Sequence, residues 1–356
     1  MSAQRSSLRL VALRAALSLV AVLLGLVLAE LAFRLLTHDG QLFDTTQVEF
    51  WQAHLRTQLA AGAGPAANIV YDPQLGWRMK PSFRSEDGGV VVTQNSRGFR
   101  GPEEFAEQPG ARLRVFVVGA SMAYGLGVPD DEVFTARLEK KYGVEAIDAG
   151  VNAYGTDQTL LLFEQEGRRY RPQVVVLVAH VDDFFRVGLP IRDLPKPYFV
   201  ERDGGFELAG VPVPSVEALA SRGALAPPGT LRIVEAWRWL ARRAAWRAGH
   251  PDPAEMERLR RLERYVMGRL RDSAEAGGAR FLMVIAGHCA PDPSFRYSGP
   301  ALHEIGTELG IETLDTRDAF ADPRGGFYGA NCHWSSRAHE QIADDLAQAL
   351  ALAPLR

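Results

Sequence analysis

The sequence predicts a doubly wound α/β domain, in which a parallel sheet of about five strands lies between two layers of helices. From residue 112 onward, short apolar runs alternate with longer stretches of helical pattern. This alternation is typical of parallel strands joined by crossover helices. Three of the apolar runs are nearly continuous, as expected for strands that are buried on both faces.

The elements follow one another at regular intervals. We expect strands over residues 113–118, 144–148, 173–179, 280–286 and 311–314. We expect helices over residues 131–142, 157–170, 231–247, 253–275, 300–309 and 336–352. Asp252 and Pro253 form a typical helix start, with an N-cap followed by a proline at the first helical position. Residues 184–230 are rich in proline and glycine without clear periodicity, which predicts an insertion after the third strand.

The composition restricts the class of protein. The chain has 356 residues, a net charge of −3, 47% apolar residues and 23% charged residues, which is ordinary for a globular protein. Nothing in this charge balance favours nucleic acid as a partner. The cysteines, Cys289 and Cys332, lack the CxxC or Cys/His spacing of a metal site. We expect neither a metal nor a cofactor.

The N-terminus predicts a membrane segment. An uncharged apolar run covers residues 15–29, and its apolar character continues to residue 36. The run follows a basic flank, Arg5, Arg9 and Arg14. This asymmetry predicts a single pass with the N-terminus in the cytoplasm and the remaining chain outside. A signal peptide cleaved after Ala29 is the alternative. We favour an uncleaved anchor, because the apolar character extends beyond that position.

The chain therefore divides into three expected parts. Residues 1–36 form the anchor, residues 37–110 form an extracytoplasmic lead segment, and residues 111–356 form the α/β domain. The lead segment carries glycine-rich, aromatic stretches that predict turns and short strands strapped onto the larger domain. We expect Trp77 and Phe99 to serve in packing.

The helix expected over residues 231–247 allows two interpretations. It carries Trp237, Trp239 and Trp246 among several arginines. A basic helix with tryptophans can lie on a membrane surface. It can also be an amphipathic helix that buries its tryptophans against the domain, which is the interpretation we favour from the sequence.

Polar residues follow the expected strands, at the sheet edge where doubly wound folds bind ligands. Ser121 follows the first strand in a Gly-Ala-Ser turn. A serine hydroxyl needs a base, and His333, just before the last helix, is the natural candidate. The main-chain N–H groups of Ser121 and Gly150 are candidate oxyanion donors, because glycine lets the backbone approach closely.

The order of these loops resembles the SGNH/GDSL hydrolase superfamily, in its membrane-anchored bacterial branch. The stretches that carry the resemblance are YDPQLGW, NSRGFRG, VFVVGASMAYGLGV, DAGVNAYGTDQ, VVVLVAHVDDFF and NCHWSSRAHEQIADDLAQAL. The resemblance implies a flavodoxin-like three-layer fold and a serine hydrolase. By position it assigns the nucleophile to Ser121, an oxyanion donor to Gly150 and the base to His333.

The chain departs from the family pattern at three positions. Ala120 replaces the acid of Gly-Asp-Ser. Asp182 and Asp183 stand where the family has Asn-Asp, and an ionised carboxylate at 182 cannot donate to an oxyanion. Asn331 replaces the acid two residues before the histidine.

Other residues can substitute at these positions. Asn152 or His180 is a candidate oxyanion donor. An asparagine carbonyl, Asp183 or Asp292 is a candidate for orienting His333. In the same frame, Cys289 and Cys332 come to one sheet edge, where a disulfide would hold the loop of His333; two unpaired thiols are the alternative.

We expect a membrane-anchored, extracytoplasmic serine esterase that removes acyl groups, most simply acetyl groups, from cell-envelope glycans or small esters. One alternative is an O-acyltransferase that works with a partner in an envelope polysaccharide pathway. The other is a catalytically degenerate glycan-binding or scaffold protein, which the three departures favour.

Overall fold

A computed structural model describes residues 2–36, 47–62, 65–221, 231–247, 252–289, 295–329 and 331–355. The strands are β1 (Ile69–Asp72), β2 (Gly76–Met79), β3 (Arg84–Asp87), β4 (Val90–Thr93), β5 (Arg114–Gly119), β6 (Glu145–Asp148), β7 (Val174–His180), β8 (Ile191–Arg192), β9 (Leu194–Pro195), β10 (Tyr198–Arg202), β11 (Gly205–Ala209), β12 (Arg280–Ala286) and β13 (Glu312–Asp315). The helices are α1 (Ser2–Leu36), α2 (Gln47–Ala60), α3 (Ser121–Tyr124), α4 (Phe134–Tyr142), α5 (Thr156–Gln165), α6 (Asp183–Arg186), α7 (Val216–Ser221), α8 (Arg232–Arg247), α9 (Pro253–Ala276), α10 (Phe295–Glu308) and α11 (Ser336–Ala349).

A five-stranded sheet forms the centre of the fold, with the order β13-β12-β7-β5-β6. All four strand pairs are parallel, so the predicted doubly wound sheet is confirmed, with strand ends within a residue or so of those expected. The chain passes from β5 to β6 on one side and then returns to β7 on the other side of β5. The crevice between β5 and β7 is therefore the topological switch point, where such folds bind ligands.

Helices cover both faces of the sheet. Along β5, Val115 and Val117 face one buried cluster, which includes Phe134 of α4 and Ile342 of α11. Phe116 alternates to the other cluster, which includes residues of α5, α9 and α10. Because successive side chains of a strand point to opposite faces, β5 contributes side chains to the cores on both sides of the sheet. The three-layer α/β/α arrangement is confirmed.

The lead segment lies on the α/β domain as two hairpins, β1–β2 and β3–β4. Trp77 and Phe99 are buried in the cluster that includes Phe116 and residues of α5. This burial agrees with the packing role expected from the sequence. The main-chain N–H of Arg100 donates to the Asp148 carbonyl at 2.9 Å. Residues 93–101 are thereby fixed beside β6, next to the loop that contains Gly150.

The insertion contains more regular structure than the sequence predicts. It includes the short helix α6 and two small hairpins, β8–β9 and β10–β11, and residues 222–230 lie outside the described part. Strands of two to five residues are too short for a periodic pattern to show. α2, also not predicted, packs Leu55 against Ile191 and Val216 of this insertion.

Two helix predictions need correction. α10 begins at Phe295, five residues earlier than expected, and contains Pro300 in its interior, although proline usually marks a first turn. The favoured interpretation of α8 is wrong for Trp237, whose side chain is 71% exposed. Trp239 is half-buried, and the side chain of Trp246 lies outside the described residues.

The N-terminal helix contains an apolar stretch, Val11–Leu35, that is long enough to cross a membrane. Its mean hydropathy is 2.5, and none of the stretch is buried inside the protein. An apolar helix that is exposed over nearly its whole length indicates either a lipid environment or a signal segment that is removed.

Candidate active site

Ser121 lies at the carboxyl end of the central strand β5, where the chain turns sharply into α3. Gly119 has a φ of +152°, and a Cβ on it would lie 2.6 Å from the Val178 carbonyl oxygen. Only glycine fits this approach to β7. The turn presents the Ser121 hydroxyl at the crevice between β5 and β7, half-buried.

The Ser121 hydroxyl and the His333 imidazole are in direct contact. The Oγ–Nε2 distance is 2.8 Å, which is hydrogen-bonding distance for a nucleophile and its base. His333 reaches this position from the loop before α11, 212 residues further along the chain. The structure thus brings together the two residues that sequence reasoning selected first.

Asn331 orients the base through its main chain. The carbonyl oxygen of Asn331 lies 3.0 Å from His333 Nδ1, so Nδ1–H donates to it and Nε2 is left unprotonated to accept from Ser121. The Asn331 side chain is used differently, since Oδ1 accepts the main-chain N–H of His333 at 3.2 Å. Of the candidates for orienting the base, an asparagine carbonyl therefore occupies the place; Asp292 lies outside the described residues.

This arrangement predicts a small effect of Asn331→Ala. The carbonyl that fixes the imidazole is retained, and only the side-chain hydrogen bond is lost, which corresponds to about a 3- to 10-fold lower kcat/KM. In a serine protease, replacing the triad aspartate by asparagine costs about 10⁴. Steady-state hydrolysis of p-nitrophenyl acetate measures the difference. A loss near 10⁴ would show that the side chain is the orienting group.

Burial lowers the pKa of His333 below its ordinary value of 6.5, and the hydrogen bond to Asn331 opposes this shift. A base must be neutral to accept a proton, so a lowered pKa keeps His333 competent at more acidic pH. We expect kcat/KM to rise along an acidic limb whose midpoint lies below 6.5. A pH–rate profile of ester hydrolysis measures this midpoint, and a value above 6.5 would contradict the expected environment.

Gly150 does not fit its expected role as an oxyanion donor. Its main-chain N–H donates to the Asp148 carboxylate Oδ1 at 3.0 Å and is not free. A Cβ at this position would lie 2.4 Å from the Tyr124 nitrogen, so glycine is needed for close packing against α3. The close approach expected from the sequence is present, but it positions the helix that follows Ser121.

Other main-chain donors lie near this edge. Among the described residues, the N–H groups of Ser121 and Ala153 have no hydrogen-bond partner. Ala153 has a φ of +65° and follows β6 in a turn closed by the Tyr154 N–H to the Val151 carbonyl. Sequence reasoning missed Ala153, because a left-handed alanine has no signature in the sequence. A glycine would have marked the turn.

Asn152 has one oxygen in a hydrogen bond and one oxygen without a partner. Its carbonyl oxygen accepts from Trp77 Nε1 at 3.0 Å, which ties the lead segment to this loop. Its Oδ1 is buried without a partner in the described part of the chain. Trp77 thus also positions the loop after β6, in addition to its packing role.

Arg186 forms ion pairs with the half-buried Asp182 and the buried Asp183. It contacts Asp182 Oδ2 at 2.7 Å and Asp183 Oδ1 at 2.9 Å. Partial burial acts to raise the pKa of Asp182, but the charges of Arg186 and Arg192 lower it to about 2. The carboxylate at 182 is therefore ionised with its charge compensated, so its repulsion of a nearby oxyanion is reduced.

Asp183 does not orient His333. Its second carboxylate oxygen accepts the main-chain N–H of His180 at 2.8 Å, while the first binds Arg186. Asp183 was one of three candidates for orienting His333, and both of its carboxylate oxygens bind other groups. The acid instead fixes the end of β7 and the start of α6.

The His180 imidazole, at the end of β7, is neutral and carries one ring N–H. Its Nδ1 lies 3.2 Å from the Asp182 main-chain nitrogen and accepts that N–H, so the ring proton is on Nε2. This Nε2 is buried and has no partner among the described residues. Burial lowers the pKa of His180 to about 3, so the ring stays neutral in any physiological condition.

The cysteines are paired. Cys289 follows β12 and Cys332 precedes His333, and a disulfide joins them with their Cα atoms 5.2 Å apart. The inferred pairing that holds the His333 loop to the sheet is thus present. A nitrogen of His288 lies within 4.8 Å of both sulfurs, but sulfurs bonded to each other are not thiolate ligands for a metal.

A cleft lies beside the loop that carries His333, but neither Ser121 nor His333 lines it. Its volume is about 430 Å³, within the range of small-molecule sites. It lies between residues 126–129 and residues 334–336, with Glu132, Gly329 and Asn331 also in its wall. The wall is mostly apolar, and Glu132 and Asn331 add polar groups to it.

The sheet order, the flanking helices and the position of Ser121 describe a doubly wound three-layer α/β fold with a serine at the switch point between β5 and β7. Among solved structures, the chain is similar to a GDSL-like lipase from Bacteroides thetaiotaomicron (11% identity, TM-score 0.41, covering 69% of this chain and 92% of that one). It is also similar to the lipase/acylhydrolase from Enterococcus faecalis (13%, 0.41, 68% and 98%) and to the acetyl xylan esterase AlAXEase (12%, 0.40, 66% and 98%). No family model and no curated protein matches the chain. A likeness at this level concerns the fold alone.

Proposed function

We propose that the protein is a membrane-anchored, extracytoplasmic serine esterase that removes acyl groups, most simply acetyl groups, from cell-envelope glycans. The observation that carries the proposal is the 2.8 Å contact between Ser121 Oγ and His333 Nε2. A protein that only binds glycans has no need for a serine held against an unprotonated, oriented imidazole. This geometry therefore favours an enzyme over a scaffold.

The reaction begins with attack of Ser121 Oγ on the ester carbonyl. His333 Nε2 takes the hydroxyl proton and returns it to the leaving alcohol, which yields an acyl-enzyme. Water, activated by the same imidazole, then attacks the acyl-enzyme and releases the acid. The Asn331 carbonyl holds Nδ1–H throughout, but it carries no full charge to stabilise the imidazolium, so we expect slower turnover than with a carboxylate.

The oxyanion needs hydrogen-bond donors that have no other partner in the free enzyme. We assign this role to the unpartnered main-chain N–H groups of Ser121 and Ala153. His180 Nε2–H is the candidate that replaces the amide of the family pattern, because it is a neutral donor at the end of β7. The paired charge of Asp182 supports this assignment, since an uncompensated carboxylate would oppose the developing negative charge.

The location supports the class of substrate. An apolar N-terminal helix and a disulfide are features of a domain held outside the cytoplasm. The acetyl xylan esterase with a similar fold acts, by its name, on an acetylated polysaccharide.

The proposal predicts Ser121-dependent release of acetate from acetylated glycans. The full chain in detergent is incubated with acetylated xylan and with O-acetylated peptidoglycan fragments, and free acetate is measured enzymatically. We expect release by the native protein and none above background with Ser121→Ala. Transfer of acetyl to an added sugar without free acetate would indicate the O-acyltransferase alternative. No turnover of glycans or p-nitrophenyl acetate by folded protein would reject the enzyme.

A further inference from the structure

α8 exposes an apolar face that the protein does not cover. Val234, Trp237 and Leu240 have exposed fractions of 39%, 71% and 53%. Ala241 and Ala244, also exposed, continue the same side of the helix at the spacing of three and four residues. An exposed tryptophan within such a stripe indicates an interaction surface.

α8 begins at the apolar N-terminal helix. The Glu30 carboxylate of α1 accepts the main-chain N–H groups of Arg232 and Ile233, at 3.0 and 3.1 Å. It thereby caps the first turn of α8, as an acidic N-cap does. Arg34 also binds Glu30, at 2.7 Å. The start of α8 is thus attached to one point on α1.

This point lies at the outer boundary of a bilayer spanned by α1. Glu30 is the first charged residue after the uncharged run that ends at Ala29, and a charged side chain is costly inside hydrocarbon. The roughly 19 residues from Val11 to Ala29 span about 28 Å as a helix, and the long Arg14 side chain can extend to the opposite surface. The hydrocarbon core of a bilayer is about 30 Å thick. Glu30 and the first turn of α8 are therefore placed at the interface between lipid chains and headgroups.

The composition of α8 suits that interface. The helix contains five arginines and one glutamate, and basic residues near an anionic membrane surface are attracted to it. Tryptophan is favoured at the headgroup level, where an apolar ring and a polar N–H are both satisfied. A second copy of the chain would bring two such positive helices together, which disfavours self-association through this face.

We propose that α8 is an interfacial helix, which lies on the outer surface of the membrane with the face of Val234, Trp237 and Ala241 against the lipid. The proposal rests on the uncleaved anchor of the proposed function. It adds a second attachment, which holds the α/β domain and its insertion close to an anionic bilayer. The partner is thus the lipid surface.

The experiment uses the full chain with one added cysteine, since the native cysteines are joined to each other. Ala241→Cys and Ala244→Cys are labelled with the environment-sensitive fluorophore NBD. Ala276→Cys, on an exposed residue at the end of α9, is the matched control. The proteins are reconstituted into phosphatidylcholine/phosphatidylglycerol vesicles with or without lipids that carry a 5-doxyl quencher. Alkaline extraction reports separately whether α1 is retained in the bilayer.

We expect the doxyl lipids to quench about half or more of the NBD intensity at positions 241 and 244, and to leave position 276 unchanged. Quenching no greater than at 276, with α1 retained, overturns the proposal and leaves the esterase proposal intact. Emission shifted to the blue without quenching by lipid indicates a protein partner and also overturns it. Loss of α1 on extraction removes the anchor and the proposal together, whereas Ser121-dependent hydrolysis is independent of all these readouts.

Discussion

Ser121→Ala is expected to abolish labelling by a fluorophosphonate probe and to lower kcat/KM for p-nitrophenyl acetate by about 10⁴-fold or more. The probe forms a covalent bond with an activated serine hydroxyl, and alanine has none. The methyl group fits the space of the serine without its hydroxyl, so the turn at Gly119 and Ala120 is retained. Gel fluorescence and steady-state kinetics measure the two effects.

A variant of His333, the partner of Ser121, provides a second and independent test. His333→Ala removes the base that lies 2.8 Å from the hydroxyl, and the two residues act as a unit, so the double variant should lose no more than either single variant. Matched controls are Ser221→Ala, whose hydroxyl bonds only within its own helix, and His303→Ala, which is largely exposed. Persistent labelling of Ser121→Ala would place the reactive serine elsewhere.

Lys196→Met is expected to lower the free energy of unfolding by about 3–5 kcal/mol. The Lys196 ammonium is completely buried and contacts the equally buried Asp157 carboxylate at 2.5 Å. It also donates to the Leu189 carbonyl at 3.0 Å. Removing the lysine leaves an uncompensated buried carboxylate between α5 and the insertion, and that desolvated charge is the source of the loss.

Urea denaturation of the full chain in detergent measures this change. The double variant Lys196→Met with Asp157→Asn should recover part of the loss, because no buried charge then remains unpaired. Lys140→Met, at an exposed position of α4, should stay within about 0.5 kcal/mol of the native protein. Equal losses at 196 and 140 would mean that the pair contributes little to stability.

The departures from the family pattern concern charge more than shape. The main-chain carbonyl of Asn331 holds His333 where the family pattern has an acid side chain, and the charge of Asp182 is compensated by Arg186. The base is therefore held in place without a full negative charge beside it. Under the proposed function we expect a modest rate, because this charge is missing and the Gly150 N–H is not free.

The sequence alone determined the doubly wound sheet, the apolar N-terminal segment and the choice of Ser121 and His333. These features are local or periodic: runs of β-branched residues bury both faces of a strand, and residues just beyond parallel strands meet at one edge. The predicted strand ends suggested a Cys289–Cys332 disulfide but left two unpaired thiols as the alternative, and the structure shows the disulfide.

Only the tertiary structure decided how each polar group is used. The Gly150 N–H donates to the Asp148 carboxylate. The Asp183 carboxylate accepts from the His180 main-chain N–H and from Arg186. The main-chain carbonyl of Asn331 orients His333. A hydrogen bond between main-chain and side-chain groups depends on positions within a few tenths of an ångström, which no residue pattern records. The exposed face of α8 was misjudged for a related reason, because a helical pattern shows which side is apolar but not what covers it.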